Sequence, residues 1–203
     1  SSSSSTTSTD NSTVSVVTVG GSGTIVTSTD NGTSWTLRTS GTSNHFSGVT
    51  YGNGTYVVVG QIGILTSSDG ITWTSRTSDT NVGLMGVTYG NSTFVTVGEL
   101  GIMFTSSDNG TSWTSREPQG HNLSGVSYGN GTFVVVLRRE FNLTSTDNGT
   151  TWTPRTSYPL LGVTYGNGTF VGVGQNGTIV TSTDNGTSWT PRLNTNSGWI
   201  TSN

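Results

Sequence analysis

The sequence predicts an all-β protein, a five-bladed β-propeller made of four-stranded antiparallel blades. Three observations carry that expectation. A tryptophan closes the same short stretch at Trp35, Trp73, Trp113, Trp152 and Trp189, a period of about 39 residues. Each period holds four short runs rich in β-branched and aromatic residues, separated by Asn-Gly or Gly turns. No segment shows the 3.6-residue apolar spacing of a helix, which removes helical solenoids of similar period. Four strands per repeat, without helices, read as one propeller blade each.

Taken in order, residues 1–13 are a Ser/Thr-rich N-terminal arm with a single acid, Asp10. Such a composition buries too little apolar surface to order itself. The absence of an initiator Met before this run suggests a processed or partial chain. The propeller is expected over residues 14–203, with blades at about 14–40, 47–78, 85–117, 124–156 and 161–193. The last full unit shows the design. Gly162-Val163-Thr164-Tyr165 leads through Gly166-Asn167-Gly168 into Thr169-Phe170-Val171-Gly172-Val173. A second turn, Gln175-Asn176-Gly177, gives Thr178-Ile179-Val180-Thr181, and Ser182-Thr183-Asp184-Asn185-Gly186-Thr187-Ser188-Trp189 starts the return. In that octapeptide the Asp side chain accepts from nearby backbone N–H groups and Asn-Gly supplies the positive φ of a tight turn.

Unit one lacks a first strand, because Ser15-Val16-Val17-Thr18-Val19 already matches the second strand of unit five. The C-terminal Ser197-Gly198-Trp199-Ile200-Thr201-Ser202-Asn203 aligns with Ser47-Gly48-Val49-Thr50-Tyr51-Gly52-Asn53. A closing strand over 197–203 is therefore expected to complete blade one and hide the open sheet edges. The same strand, or the N-terminal arm, pairing with a neighbour would instead make a polymer by strand addition.

The pattern Ser-x-Asp-x-Gly-x-x-Trp (the Asp turn below) recurs with Asp30 and Trp35, Asp108 and Trp113, Asp147 and Trp152, Asp184 and Trp189, and once shortened with Asp69 and Trp73 as Ser67-Ser68-Asp69-Gly70-Ile71-Thr72-Trp73. It resembles the Asp-box, or BNR, repeat of the sialidase-like β-propellers, and the five copies span nearly the whole chain. The resemblance implies the fold and a structural role for these ten residues. It does not carry sialidase chemistry. The three arginines of that site come from non-equivalent positions, whereas Arg38, Arg76, Arg116, Arg155 and Arg192 are one position repeated. Tyr51, Tyr89, Tyr128 and Tyr165 are likewise repeat positions, expected by strand alternation in blade cores. Function does not pass on fold alone.

Composition excludes other classes. Charged residues make up 8% of the chain, net charge is −3, and all seven basic residues are Arg. That balance gives no basic patch for nucleic acid or anionic membranes, and no run approaches a membrane span. There is no Cys. His45 and His121 fit no zinc spacing and read as loop residues, so no metal and no cofactor is expected. Five Asp residues in five separate blades offer no carboxylate pair flanking one bond, and the expectation is a protein that is not an enzyme.

Two features point outward. Blade four replaces a Gly-containing turn with Leu137-Arg138-Arg139-Glu140-Phe141, and Arg138, Arg139 and Glu140, with Glu99 of an equivalent hairpin, are candidates for a contact patch. Twelve N-glycosylation sequons lie at Asn11, Asn31, Asn53, Asn91, Asn109, Asn122, Asn130, Asn142, Asn148, Asn167, Asn176 and Asn185. In a four-stranded blade the first and third turns share one side of the ring, so most of these would coat a single face. The expected function is a secreted, N-glycosylated structural propeller that self-assembles into an extracellular fibre or surface layer, at the cell surface or outside it. The expected partners are copies of itself, met through the arm or the terminal strand. The alternative is a carbohydrate-binding, lectin-like propeller, and a glycoside hydrolase stands behind both.

Overall fold

A computed structural model describes residues 13–14, 16–61, 63–77, 81–116 and 120–192. The N-terminal arm to residue 12, with Asn11, and the closing strand over 197–203 lie outside the described residues.

The described residues form five antiparallel sheets in chain order. Blade one has three strands, β1 (Val16–Val19), β2 (Ile25–Ser28) and β3 (Thr36–Arg38). Blade two has β4 (Phe46–Gly52), β5 (Thr55–Gly60), β6 (Ile64–Ser67) and β7 (Thr74–Arg76). Blade three repeats this as β8 (Leu84–Gly90), β9 (Thr93–Gly98), β10 (Met103–Ser106) and β11 (Thr114–Arg116). Blade four holds β12 (Leu123–Gly129), β13 (Thr132–Leu137), β14 (Phe141–Ser145) and β15 (Thr153–Thr156). Blade five holds β16 (Leu160–Gly166), β17 (Thr169–Gly174), β18 (Ile179–Ser182) and β19 (Thr190–Pro191). Each sheet is a meander, as in a five-bladed β-propeller. The only helical element described is a 3-10 turn at Glu99–Gly101.

Hairpin chemistry sets each turn. Asn53, Asn91, Asn130 and Asn167 hold φ between 44° and 48° in the first turns, and Asn31, Asn109, Asn148 and Asn185 hold 58° to 60° in the Asp turns. Asn tolerates this left-handed region because its short polar side chain bonds locally.

Blades stack face to face. Val57, Val59 and Ile64 of blade two bury against Leu84, Phe94 and Phe104 of blade three. Equivalent layers join blades one and two, three and four, and four and five. Along the first strands glycines let the backbones approach, since a Cβ built on Gly48, Gly86 or Gly125 would lie 3.5–3.6 Å from a glycine Cα of the next blade. First strands therefore line the inside, and Tyr89, Tyr128 and Tyr165 pack half-buried against the core layers between blades, while Tyr51 is exposed. Tyr89, Tyr128 and Tyr165 lean across a blade boundary onto Gly52, Gly90 and Gly129, while each stacks on an aromatic ring of its own blade. Strand alternation gave the right face but not the neighbour: the absent side chain of Gly makes the slot.

Candidate functional site

The Asp turn is an inter-blade joint. In blade four, Ser145 Oγ donates to Asp147 Oδ1 at 2.7 Å and accepts from Gly149 N at 2.9 Å. Asp147 accepts from Thr151 N at 2.9 Å and Thr151 Oγ1 at 2.6 Å. The indole of Trp152 caps the turn by donating to Gly149 O at 3.1 Å. The glycine then seats on the preceding blade. A Cβ on Gly110 would lie 2.9 Å from Thr66 Cγ2, and one on Gly149 would lie 3.0 Å from Thr105 Cγ2. One on Gly186 would lie 2.9 Å from Val134 Cγ2.

Hydrogen bonds hold the acids ionised. Ser34 and Ser112 donate by side chain and backbone to Asp30 and Asp108, lowering each from the ordinary 3.8 to about 2. Burial pushes Asp147 and Asp184 upward, but donors at Thr151 and Ser145, and at Ser188 and Ser182, outweigh it and bring both to about 2. Burial likewise opposes a net lowering at Asp69, where Thr72 and Ile71 donate. A carboxylate this fully engaged in its own turn is a poor acid or nucleophile at neutral pH.

The repeated arginines lock the outer strand to its neighbour. Arg38, Arg76, Arg116 and Arg192 Nε donate to Thr27, Thr66, Thr105 and Thr181 Oγ1 at 2.8–2.9 Å, and Arg155 to Thr144 at 3.3 Å. They clamp no common pocket.

The sequon asparagines pair across blades. Asn53 Nδ2 donates to Asn109 Oδ1 at 2.8 Å, Asn91 to Asn148 at 2.8 Å, and Asn130 to Asn185 at 3.0 Å. First turns and Asp turns thus share one side of the molecule. Sequence reasoning missed the pairing, although its signal was present: an Asn recurs in the first turns and in four of the five Asp turns, with partners 55–57 residues apart. Asn142 is a correction to the glycan expectation. It is fully buried, donating from Nδ2 to Gly186 O at 3.1 Å and accepting from Trp189 Nε1 at 3.0 Å. No glycan fits there in the folded blade. Asn142 instead clips blade four to blade five, at a position that holds Ile64 in blade two and Met103 in blade three. Asn122 Oδ1 accepts from Leu100 N at 2.8 Å.

The opposite side carries two polar hollows. His121, Asn122, Ser124, Arg138 and Arg139 line one of about 550 Å³. His45, Ser47, Gln61, Asn81 and Glu99 line another of about 460 Å³. Of the contact-patch candidates, Arg138 and Arg139 line one hollow and Glu99 the other, bridged by the bond from Leu100 to Asn122, while Glu140 lines neither. Glu140 contributes a backbone carbonyl that accepts from Ser157 N at 3.0 Å. Among the described residues no group of three His, Cys, Asp or Glu could hold a metal ion, and no helix is long and apolar enough to cross a membrane.

One joint is missing among the described residues. The outgoing face of blade five, the equivalent of Val59 and Ile64 in blade two, exposes Val173 (46%) and Ile179 (43%), whereas Val59, Val97 and Val136 are fully buried. At the other end, the incoming face of blade one exposes Trp35 (46%), against 9% for Trp189. A Cβ on Gly32 would meet only Trp35 of its own turn, and one on Gly166 would meet nothing within 4 Å.

Solved structures with the same fold are distant in sequence. A structure described as YCF48 bound to D1 peptide matches with a TM-score of 0.66 and 19% identity, over 86% of this chain and 61% of that one. YCF48 from Cyanidioschyzon merolae matches with 0.64 and 18% identity, over 89% and 64%. A nidogen/laminin complex matches with 0.64 and 11% identity, over 78% and 66%. The chain thus spans about three fifths of the length of the YCF48 structures. No curated relative matches the sequence. A family model does match, over residues 2–123 and so over more than half of the chain, and by it this protein belongs to the DUF6242 beta propeller domain family.

Proposed function

We propose that this chain is a non-catalytic scaffold that assembles with copies of itself, a secreted Asp-box propeller used in an extracellular fibre or surface layer. The uncovered blade faces carry the reading. Val173 and Ile179 at one end occupy positions that the internal joints bury, and Trp35 at the other is more exposed than the other turn tryptophans, of which Trp73, Trp113 and Trp152 are half-buried and Trp189 buried. Apolar side chains left open on a blade face favour association, at roughly 25 cal/mol per Å² removed from water. The repeated acids, arginines and tyrosines are all engaged in structural contacts, which leaves them no catalytic task.

N-glycans belong to this reading at the turn asparagines. The Nδ2 atoms of Asn53, Asn91 and Asn130 are committed to their partners' Oδ1, so the nitrogens of Asn109, Asn148 and Asn185 are the better placed acceptors for a sugar. Sedimentation of the purified chain over a wide concentration range tests the scaffold. Mass rising with concentration supports it, and a single 21.1 kDa species throughout refutes it.

Ligand recognition is the second reading, favoured by the hollow at Arg138, Arg139 and His121, which no acid lines. It suits an acidic sugar or a peptide carboxylate, and a protein of the same fold is described as bound to a peptide. Binding on a glycan array, abolished by Arg138→Ala with Arg139→Ala, would move the assignment there.

A further inference from the structure

We propose that Asn53 and Asn130 are self-modifying sites, where the nitrogen of the following glycine displaces the side-chain amide and leaves aspartate or isoaspartate. This chemistry is independent of the scaffold reading.

The nitrogen of Gly54 attacks Asn53 Cγ, and that of Gly131 attacks Asn130 Cγ. The new N–Cγ bond forms, the Cγ–Nδ2 bond breaks, and Nδ2 leaves as ammonia with the proton given up by the attacking nitrogen. Water then opens the cyclic imide at either carbonyl, giving Asp from one opening and isoaspartate from the other. Water is the only further reactant, and nothing is oxidised or reduced. The step needs a neighbour with no side chain to crowd the attack, and a nitrogen whose proton water can reach.

Asn-Gly occurs in first turns and in Asp turns, and the fold places the two differently. Gly54 and Gly131 are exposed, and a Cβ built on either would meet nothing within 4 Å. Gly110, Gly149 and Gly186 are buried, and their N–H groups donate to Ser106, Ser145 and Ser182 Oγ at 2.9 Å. A buried N–H already satisfied in this way keeps its proton from solvent. Glycine backbone shape does not separate the classes, since φ is 75° and 77° at Gly54 and Gly131 against 76°, 74° and 77° at the other three. Blade three holds an internal control. Asn91 is exposed and donates to Asn148 as Asn53 does to Asn109, but Ser92 follows it in place of glycine.

The leaving nitrogen is the one that bonds blade two to blade three at 2.8 Å, and blade four to blade five at 3.0 Å. A carboxylate accepts and does not donate, so each of these bonds ends with the reaction. Isoaspartate also lengthens the backbone of a turn that has only two residues between its strands. Each event adds a negative charge to a chain of net charge −3. The first turns of blades two and four thus record the age of the molecule.

The test holds the purified chain in mildly alkaline buffer at physiological temperature. Peptide mapping by mass spectrometry then separates Asn, Asp and isoaspartate at each site. Isoaspartate should accumulate at Asn53 and Asn130 at least several-fold faster than at Asn91, Asn109 and Asn148. Gly54→Ser copies the turn of blade three and should slow Asn53 to the rate of Asn91. In denaturant, Asn109 and Asn148 should rise to the rate of Asn53 while Asn91 stays slow, because unfolding frees their glycine nitrogens. Asn109 reacting as fast as Asn53 in the folded chain would overturn the proposal. So would Asn53 and Asn130 that stay intact when folded but react once the chain is denatured.

Discussion

Asn142 shows how much one side chain contributes to this fold. It is the buried polar exception in an apolar column, and it satisfies both Trp189 Nε1 and Gly186 O. Removing it strands two buried polar groups, and an unsatisfied buried group costs about 1–3 kcal/mol. Asn142→Ala should therefore destabilise by about 2–4 kcal/mol, read from the midpoint of chemical denaturation. Asn142→Gln, which keeps both functions but adds a methylene, should also destabilise through overpacking. The acids make a second prediction. Asp30, Asp108, Asp147 and Asp184 are lowered from 3.8 to about 2, so their contribution is fully present above the unfolded value and lost as pH falls through the folded one. Thermal unfolding between pH 5 and pH 2 should show Tm falling mainly below about 4, and a flat profile there would contradict the turn network. Sequence made the Asp turn legible because its residues are local. Asn142 was misread because its partners lie 44 and 47 residues away.

At the level of the element, the glycine that ends each first strand makes a sharp comparison. A Cβ on Gly90 would lie 2.0 Å from Tyr128 Cγ, whereas one on Gly166 would meet nothing within 4 Å. Gly90→Ala should cost about 1–3 kcal/mol, as overpacking does, and Gly166→Ala should leave monomer stability unchanged. Denaturation curves of the two variants, measured below the assembly concentration, check this. Equal losses would mean that the fifth blade is covered like the others. The blades themselves were readable, because a period-two pattern and Asn-Gly turns specify strands and hairpins locally. Which face of a strand meets the next blade was not, because Val173 and Val136 are the same residue in the same pattern with opposite burial. The Arg138 hairpin was readable as a departure from the repeat. Its separation from Glu99 into another hollow depends on the angle between blades, which no local pattern encodes.

Among the described residues the molecule is a run of similar joints, and Val173 and Ile179 of blade five stay exposed. Nearest-neighbour stacking of this kind makes stability approximately a sum over joints. That is the physical basis for reading the chain as a scaffold. Composition agrees with an exterior built from hydroxyls and amides, with 8% charged residues and sequons on the exposed turns. Mass spectrometry of the native material should find sugars at Asn109, Asn148 and Asn185 more often than at Asn53, Asn91 and Asn130, and none at Asn142. Occupied Asn142 would mean that the fourth blade folds differently. Sequence suggested self-assembly through the arm or the terminal strand. The uncovered blade faces offer a different route, visible only once the five sheets are placed side by side. Electron microscopy of the unfractionated native protein tests the central claim most directly. The account predicts filaments or a lattice repeating every 21.1 kDa propeller. Dispersed single propellers at high concentration would contradict it.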